Sequence, residues 1–148
     1  MSFQDTALTA AHTEVKAELA RTDTKAGLLL AFVGAMLAGA WTVATSVHLP
    51  PAAVAIGAAG VAVLLAAATC LLRTVRPNLG ETRPQGFPKW ATLTPDEIRD
   101  ALSEDDRPAH IAALSRIAVA KFARLQRAID LTCVAGVLLV VAWLGVAW

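Results

Sequence analysis

Charged side chains lie at the edge of an apolar run in the stretch RTDTKAGLLLAF, residues 21–32. A carboxylate is costly there because, unlike a long cationic side chain, it does not easily reach back to water from the lipid boundary. Asp23 and Lys25 are two positions apart, so on a helix they do not share a face. We therefore expect a cationic partner for Asp23 from another part of the chain.

The distance of a charged residue from the start of the nearest apolar run indicates which residues can face Asp23 from another helix. Arg127 precedes a later run by about one turn, as Asp23 does the first, and Arg124 lies nearby. We predict interhelical ion pairs of Asp23 with Arg127 or Arg124, and of Lys25 with Asp130. Such pairs contribute more than the roughly 0.2–1 kcal/mol of exposed pairs, because water is scarce on one side. The alternative is that Lys25 and Arg127 only reach toward water and Asp23 is solvated.

Catalytic chemistry has little support in the sequence. It contains no nucleophile with a base and no metal-ligand cluster, and its adjacent carboxylates, residues 104–106, have a solvated character. Cys70 and Cys133 lack the spacing of a metal site or a disulfide framework. We expect neither an enzyme nor a bound metal or cofactor.

Composition indicates which elements position these residues. Of 148 residues, 56% are hydrophobic and 17% charged, with a mean hydropathy of +0.56, which is unusual for a soluble protein of this size. Three windows free of Asp, Glu, Lys and Arg approach the roughly 20 apolar residues that a bilayer requires: 26–47, 52–72 and 131–148. We predict an all-α membrane protein with three transmembrane helices in a single domain.

Basic residues predict the orientation of these spans. Three of the 13 Lys and Arg precede the first span, the other ten lie between the second and third, and the short turn after the first has none. Because cytoplasmic segments carry the excess of Lys and Arg, residues 1–25 and 73–130 are predicted to be cytoplasmic. The C-terminus is then outside, and the protein is a multi-pass protein of the inner (plasma) membrane.

The cytoplasmic segments have mainly helical patterns. Apolar residues at helical spacing predict an N-terminal helix over 1–25 that continues into the first span. Residues 76–90 hold three prolines and two glycines, which predicts a loop. Thr94, Pro95 and Glu97 form a capping box that starts a short helix, ending near Ser103. A helix of about 40 residues then begins near Pro108 and continues through the third span.

Small residues recur every four positions in two spans. They are Gly27, Ala31, Ala35 and Gly39 in the first, and Ala58, Ala62 and Ala66 in the second. This pattern lets helix backbones approach closely, either within one three-helix bundle or between subunits. The absence of ionisable residues from the spans argues against a proton-coupled transporter or a selective ion path.

The chain resembles a known family at several short motifs. DTKAGLLL opens the first span, and H-I-x-x-L-S-x-I-x-x-x-K-F-x-x-L-x-x-A-I leads into the last. In order and spacing, residues 10–148 resemble the transmembrane effectors of the Pycsar antiphage system. The matching positions are Asp23, Lys25, His110, Lys121 and Phe122.

The resemblance implies a signalling role. Members are paired with a cyclase that makes cyclic CMP or cyclic UMP on phage infection, and the effector impairs the inner membrane, causing abortive infection. A cyclic nucleotide presents one phosphate charge and an aromatic base, so its site requires cations and a stacking surface. We expect ligand contacts from helix side chains, since the sequence lacks a glycine-rich phosphate loop. The candidates are Lys121, Arg124, Arg116, His110 and Phe122.

Two functions from different classes remain open. In the first, nucleotide binding changes the association of a homo-oligomer, and the attached spans move in the lipid. In the second, the chain is a constitutive membrane scaffold or accessory subunit without a nucleotide ligand. No nucleic-acid partner is expected. The sequence leaves open which cyclic nucleotide binds, how many subunits assemble, and whether a pore or general disordering impairs the membrane.

Overall fold

Four helices make up the structure, a computed structural model that describes residues 3–76, 91–103 and 107–145, the side chains of residues 101–103 excepted. They are α1 (Phe3–Ser46), α2 (Pro51–Val75), α3 (Pro95–Ser103) and α4 (Arg107–Leu144). The chain divides into two units. The first unit comprises Met1–Arg21 and Arg76–Ala120, and the second comprises Thr22–Val75 and Lys121–Trp148.

The expected all-α fold with three long apolar helices is confirmed: α1, α2 and α4 are each long and apolar enough to cross a membrane. The first is unbroken over 44 residues and the last over 38. The predicted loop lies outside the described residues from position 77 to position 90. Residues 104–106 and the last three residues of the predicted third span, 146–148, also lie outside them.

Local chemistry explains where the helices begin. Pro51 occupies the first position of α2, where its missing N–H costs nothing, and Val54 N–H donates to the Pro50 carbonyl. The capping box of α3 is present as predicted: Thr94 N–H donates to Glu97 Oε2 at 2.8 Å, and Glu97 N–H donates to Thr94 Oγ1 at 3.4 Å. The first of these bonds and the Thr94 hydroxyl hold the pKa of the Glu97 carboxyl below its ordinary value.

Threonine hydroxyls within the long helices bond back to the carbonyl four residues earlier. Thr42 does so to Ala38, Thr69 to Leu65, and the buried Thr132 to Ala128 at 2.7 Å. In lipid an unsatisfied hydroxyl costs free energy, so these internal bonds allow polar residues to lie inside apolar helices.

In the second unit, the segments of α1, α2 and α4 pack around a shared apolar core. Lys121 meets Asp23 and Gly136 lies near Met36, so α4 runs parallel to α1 there. The inward residues of all three helices follow alternating steps of three and four, the heptad spacing of left-handed helix packing. They include Ala26 and Val33 of α1, Leu64, Ala67 and Leu71 of α2, and Leu125, Ala128, Ala135 and Ala142 of α4.

At Gly60, α2 and α4 approach each other closely. A Cβ placed on it would lie 3.1 Å from Leu139 Cδ2 and 3.3 Å from Leu138 Cβ. The two runs of small residues noted in the sequence do not make such contacts, because all seven members are exposed. Gly27 and Gly39 have nothing within 4 Å of an added Cβ. Packing within one chain therefore does not account for these two runs.

An apolar cavity of about 550 Å³ lies in the second unit beside the turn that joins α1 and α2. All three long helices line it, with Met36, Ala53 and Leu139 among the contributing residues. A lining with so few polar atoms offers water few hydrogen-bond partners and suits hydrocarbon.

Candidate functional site

In the first unit, the start of α4 is fixed to the start of α1 by Arg107. Its guanidinium lies 2.7 Å from Asp5 Oδ1 and donates to Thr9 Oγ1 at 3.2 Å and to the Asp5 carbonyl at 3.4 Å. The two charged side chains are 33% and 42% exposed, so water screens the pair only in part. Three contacts from one side chain set the register of α1 against α4 in this unit.

Two histidines meet next to this ion pair. The rings of His12 on α1 and His110 on α4 have centroids 5.1 Å apart and are tilted by 49°. His110 lies in the first turn of α4, three residues after Arg107. We call His12, Lys16, Arg107 and His110 the histidine cluster, since these four basic residues come from facing segments of two helices.

The surroundings of His12 favour its neutral form. Burial lowers the pKa of the imidazole below its ordinary value, and the positive charges of Lys16, His110 and Arg107 lower it further. Within the described residues, Nε2 of this ring is buried and has no hydrogen-bond partner. A buried polar atom without a partner costs about 1–3 kcal/mol, which is the kind of cost that a bound ligand removes.

In the second unit, Asp23 pairs with Lys121. The ammonium lies 2.6 Å from Asp23 Oδ1, and the lysine side chain is 16% exposed while that of the aspartate is 43% exposed. Lys121 continues the heptad seam of α4 one step before Leu125, which explains why its aliphatic portion is buried. The expectation that Asp23 pairs with Arg127 or Arg124 was wrong. Its partner is Lys121, which lies three positions before Arg124 and six before Arg127 on α4.

The other predicted ion pair has no counterpart in the part of the chain that the structure describes. Lys25 and Asp130 are both exposed, and no ion pair between them is present there. Arg127 is exposed too. These side chains are directed away from the seam, because the heptad spacing assigns the inward positions to Ala26 and Ala128.

The five predicted ligand contacts fall into both units. His110 belongs to the first unit, as does Arg116, whose Nε donates to the Ala112 carbonyl of its own helix at 3.2 Å. Lys121, Phe122 and Arg124 belong to the second unit, where Phe122 is 41% exposed and Arg124 is exposed. Of the five, His110 has an aromatic partner and Lys121 an acidic one.

Four residues of the first unit were missed by the sequence reasoning: Asp5, Thr9, His12 and Arg107. A signal for them existed, because Asp5, Thr9 and His12 recur at steps of four and three and so share one helix face. The structure also shows that two contacts between α1 and α4 share one register. His12 and His110 are 98 positions apart, and so are Asp23 and Lys121.

These observations define a class of protein: a small, multi-pass helical membrane protein with a polar cluster on the segments of α1 and α4 that precede the apolar runs. Its family follows from comparison with known proteins. PycTM, the Pycsar effector protein domain, matches residues 7–148, so the chain belongs to that family. No curated protein and no solved structure matches it.

Membership of this family indicates the general role of the chain. The chain is a membrane effector of the Pycsar antiphage system, in a family that is not one of enzymes. The family also implies a cyclic nucleotide signal and a cyclase that produces it.

Proposed function

We propose that this protein senses a cyclic pyrimidine nucleotide, cyclic CMP or cyclic UMP, which a partner cyclase makes on infection. Binding leads the effector to impair the inner membrane, so that the infected cell dies by abortive infection. The observation that carries the proposal is the family match over residues 7–148, which includes nearly all of α1 and the whole of the other three helices.

The helices offer a physical route from ligand to lipid. Both α1 and α4 contribute to the first unit and, without a break in the helix, to the second. A ligand that binds one arrangement of α1 and α4 better than another shifts the population toward it. The change then reaches the apolar segments, because an unbroken helix does not absorb rotation or translation as a loop does.

The distribution of charge supports cytoplasmic sensing. All 13 Lys and Arg lie before the first apolar run or between the second and third. The positive-inside rule therefore assigns the histidine cluster to the cytoplasm, where a cyclase product accumulates. The N-terminus is cytoplasmic and the C-terminus is outside in this arrangement.

Self-association is part of the proposal. The exposed small residues of α1 and α2 provide flat surfaces on which a helix of a second copy can approach closely. In lipid such packing is a main source of association, because the hydrophobic effect does not act between helices there.

Proteoliposomes loaded with a self-quenching dye test the function. Cyclic CMP or cyclic UMP added on the side of the histidine cluster is expected to release dye, with cyclic AMP as the control of equal charge. Oligomer size in detergent, measured by light scattering, is expected to change with the same nucleotide. A protein that shows neither response to either pyrimidine nucleotide is the constitutive scaffold instead.

A further inference from the structure

Among the residues that the structure describes, the histidine cluster brings together more basic than acidic side chains. His12 and Lys16 are one turn apart on α1, and Arg107 and His110 are three residues apart on α4, so all four lie on facing surfaces. Asp5 neutralises Arg107 in part and holds it in place. Lys16 is exposed and its ammonium is accessible from solvent.

The position of the cluster on α4 adds to this charge. Arg107 is the first residue of α4 and His110 completes its first turn. Backbone N–H groups at a helix start have no partner within the helix and carry a partial positive charge. The combination of this helix end with basic side chains from a second helix is typical of sites for phosphate groups.

A metal ion fits this surrounding poorly. Structural and catalytic zinc sites use three or four protein donors, and the cluster provides two imidazoles with two cations beside them. The positive charges repel a metal cation and attract an anion at the same distance. The buried Nε2 of His12 has no partner among the described residues, and it can donate to an anionic oxygen when it carries the proton.

We infer that the histidine cluster binds the phosphodiester of the cyclic nucleotide, with His12 and His110 contacting its oxygens and Lys16 supplying a further charge. The inference rests on the proposed function and assigns that function a site. Nε2 of His12 is buried, so a phosphate oxygen that reaches it has to part some of the contacts between α1 and α4 around this ring. Binding is therefore expected to change the packing of α1 against α4 in the first unit.

In this arrangement, binding of the nucleotide is coupled to the uptake of a proton by His12. Among the described residues, Lys16 on α1 and His110 and Arg107 on α4 act electrostatically on His12, and each disfavours its protonated form. A phosphate anion beside the His12 ring opposes that effect and raises the pKa of His12. Affinity is therefore expected to increase as the pH falls from about 7.5 to 6.0, near the ordinary pKa of histidine.

Calorimetry of the full chain in detergent, with cyclic CMP and cyclic UMP as titrants, tests the site. His12→Gln and His110→Gln are each expected to weaken binding by tenfold or more, and Lys16→Gln by a smaller factor that shrinks in high salt. The remaining histidine provides the matched control. His48 lies exposed between α1 and α2, so His48→Gln is expected to bind as the wild type does.

The outcomes separate the site from the function. Wild-type protein that binds neither pyrimidine nucleotide contradicts the proposed function itself. Wild-type binding that persists unchanged in His12→Gln and Lys16→Gln leaves the function intact and overturns the site. Lys16 is exposed, so its variant stays informative even if a histidine variant unfolds, which circular dichroism detects. Affinity that increases at low pH in the wild type but not in His12→Gln supports the linked proton.

Discussion

The two units use the same pair of helices in different ways. In both, α1 and α4 run in the same direction, and the partners of one key contact are 98 positions apart. In the second unit that contact joins opposite charges, Asp23 and Lys121, and heptad positions beyond it form a buried core. In the first it joins two like groups, His12 and His110. Of the side chains described in the first unit, Ala118 alone is buried.

This difference shows where a conformational change costs least. Segments with few buried apolar contacts and partly exposed polar contacts open at low free energy, while a well-packed core opens only with the whole fold. The first unit has few buried apolar side chains, whereas the second unit has a packed apolar core. A ligand that acts on the first unit therefore works against weak contacts and leaves the membrane-spanning core assembled.

Overpacking the second unit is expected to give the largest effect. Gly60→Leu forces a side chain into Leu138 and Leu139, which already lie within 3.3 Å of an added Cβ, and such substitutions cost about 1–3 kcal/mol. We expect a clear drop in the melting temperature in detergent. Gly34→Leu is the control, since nothing lies within 4 Å of a Cβ there. Equal melting of the two variants would contradict the packing described for α2 and α4.

Removal of the Asp23 charge is expected to rank second. Asp23→Asn leaves the ammonium of Lys121 largely buried without its counterion, and we expect a loss of about 1–2 kcal/mol, less than for a fully buried pair. The double variant Asp23→Asn with Lys121→Met should regain most of that stability, because it no longer holds an unpaired ammonium. Lys25→Met, at an exposed site, serves as the control. If Arg127→Met destabilises the fold more than Lys121→Met does, the sequence-based pairing was right after all.

The ion pair of the first unit is expected to contribute less. Asp5→Asn weakens a contact whose side chains are one-third and two-fifths exposed, which corresponds to about 0.2–1 kcal/mol. Hydrogen exchange of residues 3–21 should accelerate while that of the second unit stays unchanged. Asp96→Asn is the control, because its pair with Arg99 lies within α3 and is 87% and 78% exposed. A loss of protection in both units would show that they do not open separately.

Acidification is expected to give the smallest effect, again in the first unit. The folded-state pKa of His12 is lowered, so the unfolded chain binds more protons, and stability falls as the pH drops below the ordinary histidine pKa of about 6.5. Hydrogen exchange near His12 should be faster at pH 5.5 than at 7.5, after correction for the intrinsic rate. His12→Gln should abolish that difference, and His48→Gln should leave it unchanged.

Sequence reasoning recovered the elements better than the contacts. The apolar windows gave the three long helices, and the capping box gave the start of α3 at Pro95. The same reasoning named His110 and Lys121 as ligand contacts, which stays a prediction, and it assigned Asp23 to the wrong cation. Depth along a helix was a sound guide to within about two turns, which leaves several cations on α4 to choose from. The face that each presents depends on the register of two helices, and one chain's pattern does not specify that register.

The residues alone specified the three long apolar helices. A hydrophobic run of bilayer length forms a helix because lipid offers its backbone groups no other hydrogen-bond partners, and the distribution of Lys and Arg predicts how the spans are oriented. Only the tertiary structure decided that Lys121 belongs in the seam, that the small-residue runs face outward, and that His12 meets His110. Helix formation depends on neighbours within a turn, whereas these pairings depend on how residues 98 positions apart are aligned, which packing of the whole core determines.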